Sequence, residues 1–140
     1  MDCGLGPGYG FYPKDGDLGE HHSIVRWQAP EILAASPAVQ GSKEADIFAF
    51  GMVVVEVFTA EVPFHPHSDQ QVFHMIESGE IPKLSGDTEV VNGMRKLLKR
   101  CLKFSPQDRP NIKEVVKELQ ALGKLSAVDK LEVSARSVTK

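Results

Sequence analysis

From residue 44 to residue 59 the chain is apolar around almost the whole circumference of a helix. Ile47, Phe48, Phe50, Met52, Val53, Val54, Val55, Val57 and Phe58 leave no polar face wide enough to meet water. The β-branched Val53, Val54 and Val55 also suit a strand, but the length of the run favours a helix that only tertiary packing sustains. Such a helix needs neighbours on every side, so the rest of the chain has to supply walls for it. With 140 residues, 41% apolar and 25% charged, the chain has the material of one globular core. The run is broken by Gly51 and Glu56 and falls short of the roughly 20 residues that cross a bilayer.

The walls are legible in local signals. Ser68 followed by Gln71 forms a capping box, and Val72, Phe73, Met75 and Ile76 give the helix after it an apolar side, before Gly79 and Pro82 stop it. Val90, Val91, Met94, Leu97, Leu98, Cys101 and Leu102 keep helical spacing, with Lys96, Lys99, Arg100 and Lys103 on the solvent side. Asn111 with Glu114 caps a final helix whose inner face is Ile112, Val115, Val116, Leu119 and Leu122, with Gly123 as its stop. Residues 124–140 read as peripheral, with Ser126 and Asp129 able to start one or two further turns. Pro30 suits the first turn of a short helix over 31–34, ended by Ser36 and Pro37. Residues 1–28 hold six glycines and no helical or strand period, and are expected to be irregular. The fold class is therefore mainly α.

Several functions are disfavoured. The net charge of -3 comes from interleaved acids and bases without a basic stripe for nucleic acid. Cys3 and Cys101 form no disulfide framework or zinc motif, and the acid and glycines of the N-terminus do not resemble a secretory signal, so a cytosolic or nuclear setting is expected. Gly4, Gly6, Gly8 and Gly10 lack the strand and helix that frame a phosphate cradle. His65-Pro66-His67 has no third ligand and reads as a surface turn.

An ordered series of motifs then carries a resemblance. Val25-Arg26-Trp27-Gln28-Ala29-Pro30-Glu31 is followed by Asp46-Ile47-Phe48-Ala49-Phe50-Gly51, then by Pro63-Phe64, and finally by Cys101-Leu102 and Asp108-Arg109-Pro110. Together they resemble the C-terminal lobe of a eukaryotic protein kinase, whose activation segment ends in Ala-Pro-Glu, here Ala29, Pro30 and Glu31. Arg26-Trp27 looks like tyrosine kinases and their tyrosine-kinase-like relatives. Asp2-Cys3-Gly4-Leu5 resembles the Asp-Phe-Gly-Leu that opens the activation segment, with Cys3 in place of the aromatic. The resemblance implies an activation-segment-like stretch over 1–28, a helical lobe over 29–122 and a tail over 123–140.

It also implies roles. Asp2 would be a ligand of the Mg²⁺ that bridges nucleotide phosphates, the alternative being a frayed acidic terminus. Glu31 and Arg109 would pair and tie the activation segment to the helical lobe. Asp46 would accept from catalytic-loop N–H groups, or else sit exposed in a first turn favoured by the helix dipole. Ala29, Pro30 and Gly51 belong to the structural set, and Ser23, more than Tyr9 or Tyr12, is a candidate phosphosite.

The family activity is transfer of a phosphoryl group from magnesium-ATP to protein hydroxyls. The 140 residues contain neither a Val-Ala-x-Lys strand nor a His-Arg-Asp loop, and no catalytic aspartate or lysine is assigned. The expectation is a kinase segment without the nucleotide-binding β lobe and without activity by itself. Uncovered apolar surface on the central helix would favour self-association or a protein partner. A competing expectation is a non-enzymatic interaction module that docks a protein through the helix around Val72 and Ile76.

Overall fold

The computed structural model describes residues 24–35 and 41–138, with 126–138 as helical backbone only. Asp2, Cys3, Tyr9, Tyr12, Ser23, the glycine string and Ser36-Pro37 lie outside the described residues. Among the described residues five α-helices follow one another: α1 (Pro30–Leu33), α2 (Lys43–Thr59), α3 (Asp69–Glu77), α4 (Glu89–Cys101) and α5 (Ile112–Val138). There is no strand among the described residues. The irregular stretch expected up to residue 28 ends instead in a 3₁₀ turn over Ile24–Trp27, packed against α2 and α3.

Helix α2 is the hub. Ser42 caps it by accepting from the Ala45 N–H at 3.0 Å, and Ala60 ends it in the left-handed region at φ 57°. Ile47, Phe48, Met52, Val54 and Val55 are buried and meet Val72 and Ile76 of α3, Leu97 and Cys101 of α4, and Val115 of α5 in one core. The covering is incomplete: Val53 is 47% exposed, Val57 73% and Phe58 41%. Gly51 is where α2 meets the end of α4, because a Cβ there would stand 2.7 Å from Leu102 Cδ2. Gly93 plays the same part between α4 and α5, where Leu122 fills the space of the missing side chain.

The capping box of α3 forms as its spacing predicts, with the Ser68 N–H donating to Gln71 Oε1 at 2.9 Å and the Gln71 N–H donating to Ser68 Oγ. Its apolar side is not a docking surface, because Val72 and Ile76 are 0% and 1% exposed. That expectation is corrected: the helix spends those residues on the core, where burial of each stabilises by about 1.5–3 kcal/mol.

The end of α5 is a second correction. Asn111 and Glu114 cap the helix reciprocally, but Gly123 does not stop it, and the helix runs on to Val138. A glycine inside a helix costs only about 1 kcal/mol, and no proline follows it. The inner face is also narrower than expected. Val115 is buried and Leu119 and Leu122 are half-buried, while Ile112 and Val116 are 60% and 43% exposed. Helix α4 is the main neighbour on that side, and it covers a narrow stripe.

Candidate functional site

Two buried arginines organise the face on which the short segment 24–33 lies. Arg109, just after the second 3₁₀ turn Pro106–Asp108, is 7% exposed. Its guanidinium carries five N–H groups in a fixed fork, and all are used. Nη1 donates to Glu31 Oε1 at 2.6 Å and to the Glu44 carbonyl at 2.9 Å. Nη2 donates to Glu31 Oε2 at 2.8 Å and to the Phe104 carbonyl at 3.1 Å, and Nε donates to the Lys103 carbonyl at 2.8 Å. The guanidinium also lies 5.1 Å from the centre of the Phe48 ring. Residues 78 apart in sequence are thereby joined through a bidentate ion pair.

Glu31 is the acidic residue of the first turn of α1, which Pro30 opens. Burial alone pushes its carboxyl up, but the hydrogen bonds and charge of Arg109, with a backbone hydrogen bond, outweigh it and hold the pKa below its ordinary value. The group therefore stays ionised and keeps its partner.

Arg26 lies at the other end of the segment and is 6% exposed. Its Nε donates to Asp69 Oδ1 at 3.0 Å, its Nη1 to the Pro63 carbonyl at 2.8 Å and its Nη2 to the His67 carbonyl at 2.6 Å. The residues alone marked Arg26 only as a sign of lineage. No acid stands within four residues of it, so no local pairing signal existed.

The remaining assigned residues are dispersed. Ala29 and Pro30 are buried between the two arginines, and Gly51 lies under Leu102. Asp46 is exposed in the first turn of α2, the geometry in which a carboxylate meets the positive end of a helix dipole. Cys101 is fully buried, and burial pushes its thiol up to about 11 despite the nearby Arg100, so the thiolate that a nucleophile needs is scarce.

A groove of about 370 Å³ lies between the C-terminal end of α2, the 61–67 loop and the stretch 80–83. Val55, Val62, Phe64, Met75 and Ile81 give it an apolar floor, and its acids are Glu61 and Glu80. Glu61 faces His65 at 3.0 Å. Among the described residues no three His, Cys, Asp or Glu side chains stand close enough to hold a metal ion. These residues do not fit magnesium-ATP, and Asp2, the ligand implied for it, lies outside them. No helix of the described residues is long and apolar enough to cross a membrane.

Known proteins give the same answer as the motifs. The family model described as protein tyrosine and serine/threonine kinase matches residues 12–119. The chain is 30% identical over 98 residues to the dual specificity protein kinase shkD of Dictyostelium discoideum, covering 69% of this chain and 12% of that protein. It is 31% identical over 114 residues to the serine/threonine-protein kinase A-Raf of Sus scrofa, covering 79% and 18%. It is 33% identical over 96 residues to the inactive tyrosine-protein kinase 7 of Gallus gallus, covering 68% and 9%. The chain thus spans less than a fifth of the length of these relatives. With motifs in order, helices in place and relatives that include tyrosine-kinase-like members, the chain belongs to the protein tyrosine and serine/threonine kinase family and folds as the helical C-terminal lobe of its catalytic domain.

Proposed function

We propose that these 140 residues form the protein-substrate side of a kinase domain that transfers a phosphoryl group from magnesium-ATP to a protein hydroxyl. The observation that carries this reading is the bidentate pair of Glu31 with Arg109, which seats the end of the activation segment on the helical lobe. In this reading residues 1–28 are the activation segment, with Asp2 toward Mg²⁺ and Ser23 as a phosphosite, 29–122 the lobe, and 123–140 a tail. Exposed Asp46 receives backbone N–H groups of a catalytic loop. Catalysis requires an aspartate and a lysine whose motifs these residues do not contain, so this stretch by itself does not turn over ATP.

A second reading, a non-enzymatic interaction module, is favoured by the likeness to a relative whose name calls it inactive. It is also favoured by the exposed Val53, Val57 and Phe58, which suit a protein partner or a second copy. A reducing intracellular setting suits either reading.

Thermal unfolding of the chain with and without magnesium-ATP, beside a phosphotransfer assay, separates them. A ligand that binds only the folded state raises the midpoint. An unchanged midpoint with no transfer is expected for this stretch alone. A longer protein that carries these residues together with a nucleotide-binding lobe is expected to phosphorylate protein in the same assay, and its failure to do so would favour the interaction module.

A further inference from the structure

The two ends of α5 differ in what α4 can cover. Near its start α5 runs antiparallel to α4: Arg100, in the last turn of α4, pairs with Glu114 and Glu118, and Leu122 fills the space beside Gly93. Helix α4 begins at Glu89, one turn before Gly93, whereas α5 runs on to Val138. At about 1.5 Å per residue, roughly the last 12 residues of α5, about 18 Å of helix, extend beyond that wall.

The sequence changes at the same point. The stripe that meets α4, with Val115, Leu119 and Leu122, continues in register at Ser126 and Asp129, which are polar. A second line opens instead. Ala121, Lys124, Val128, Leu131, Ala135 and Val138 follow one another at steps of three and four, the spacing of a helix-pairing seam. Ala121 and Lys124, which begin it, are exposed, whereas Leu119 and Leu122 are half-buried. A helical stretch this short gains little from propensity alone and persists where an apolar face is packed.

Lys124 is the one charge in that line, and it selects the partner. In a parallel, in-register pair of α5 helices, Lys124 meets Lys124 of the second copy, and like charges repel. In an antiparallel pair with a twofold axis at Val128, positions equally far to either side of Val128 come together. Lys124 then stands opposite Glu132, Leu125 opposite Leu131 and Ala121 opposite Ala135, and each match occurs twice.

We propose that α5 pairs antiparallel with α5 of a second copy of this chain, about a twofold axis at Val128 that sets Lys124 of each copy against Glu132 of the other. The pairing joins two lobes through helix that α4 leaves uncovered, and it does not depend on phosphoryl transfer.

Sedimentation equilibrium of the 140-residue chain tests it. A dimer that dissociates on dilution is expected, and Leu131→Asp is expected to raise its Kd at least tenfold while the thermal midpoint of the diluted monomer stays unchanged. Lys124→Glu and Glu132→Lys each set like charges against each other and are each expected to raise Kd roughly tenfold. Combined in one chain they restore an opposite pair, and Kd is expected to return to within about threefold of the unsubstituted value. Association through the exposed Val53, Val57 and Phe58 of α2 would ignore all four variants. A monomer at every concentration leaves the helix to a different occupant and overturns the proposal. So does association that Leu131→Asp leaves unchanged, or a doubly substituted chain no tighter than the single ones. Should Leu131→Asp fail to fold, the charge exchange decides by itself.

Discussion

Arg109 and Arg26 are equally buried, yet their charges are accommodated differently. Arg109 spends all five donors, two of them on the oxygens of one carboxylate, and adds the Phe48 ring. Arg26 leans mainly on two backbone carbonyls, and its one acidic partner, Asp69, is 37% exposed at the side chain. A charge paired inside the protein depends on its partner, because the attraction is weakly screened there. A charge held by carbonyl dipoles with a half-exposed acid depends on it far less. The first arrangement fixes position firmly, and the second leaves a joint that a local change can loosen.

Breaking the stronger node gives the largest expected effect. Arg109→Met leaves three carbonyls and a half-buried carboxylate without their donor, and is expected to cost about 3–5 kcal/mol, read as a large fall in the urea midpoint or loss of a cooperative transition. Glu31→Gln keeps the shape and removes the charge, and is expected to cost about 2 kcal/mol in the same titration.

Acid sharpens this result. The folded pKa of Glu31 lies below its ordinary value of 4.5, so its stabilisation is complete above that value and is lost as pH falls through the folded pKa. Thermal midpoints of the natural chain are expected to drop below about pH 4.5, and Glu31→Gln is expected to remove that part of the drop.

An apolar contact supplies the scale between the two nodes. Gly51→Ala pushes a methyl group toward Leu102 and Cys101 and is expected to cost about 1–3 kcal/mol by urea unfolding, without any pH dependence. The smallest effect is expected at the weaker node. Asp69→Asn should change global stability by less than about 1 kcal/mol, because its partner keeps two carbonyls and the site is open to water. A loss for Asp69→Asn equal to that for Glu31→Gln would erase the distinction between the nodes.

The motifs made the family and the helical lobe readable, and they named Glu31 and Arg109 as a pair through resemblance rather than through spacing. The weaker node escaped the sequence. Nothing near Arg26 announces Pro63, His67 or Asp69, which lie 37 to 43 residues on and meet it only because α3 and its loop fold back over the turn. Val72 and Ile76 look like surface in the sequence, since an amphipathic face looks the same whether a core or a partner covers it.

By itself the sequence determined what local physics controls. It set the all-round apolarity of α2, the caps at Ser68 and Asn111, and the stripe of α4, because caps and helical stripes involve residues only three or four apart. The tertiary structure alone decided that Gly123 stays inside α5, that the uncovered part of α2 is Val53, Val57 and Phe58, and that the carbonyls of 63–69 close around Arg26. Those outcomes depend on which distant segments arrive beside a residue, and burial, close approach and buried-charge pairing acquire their energies only once those segments are in place.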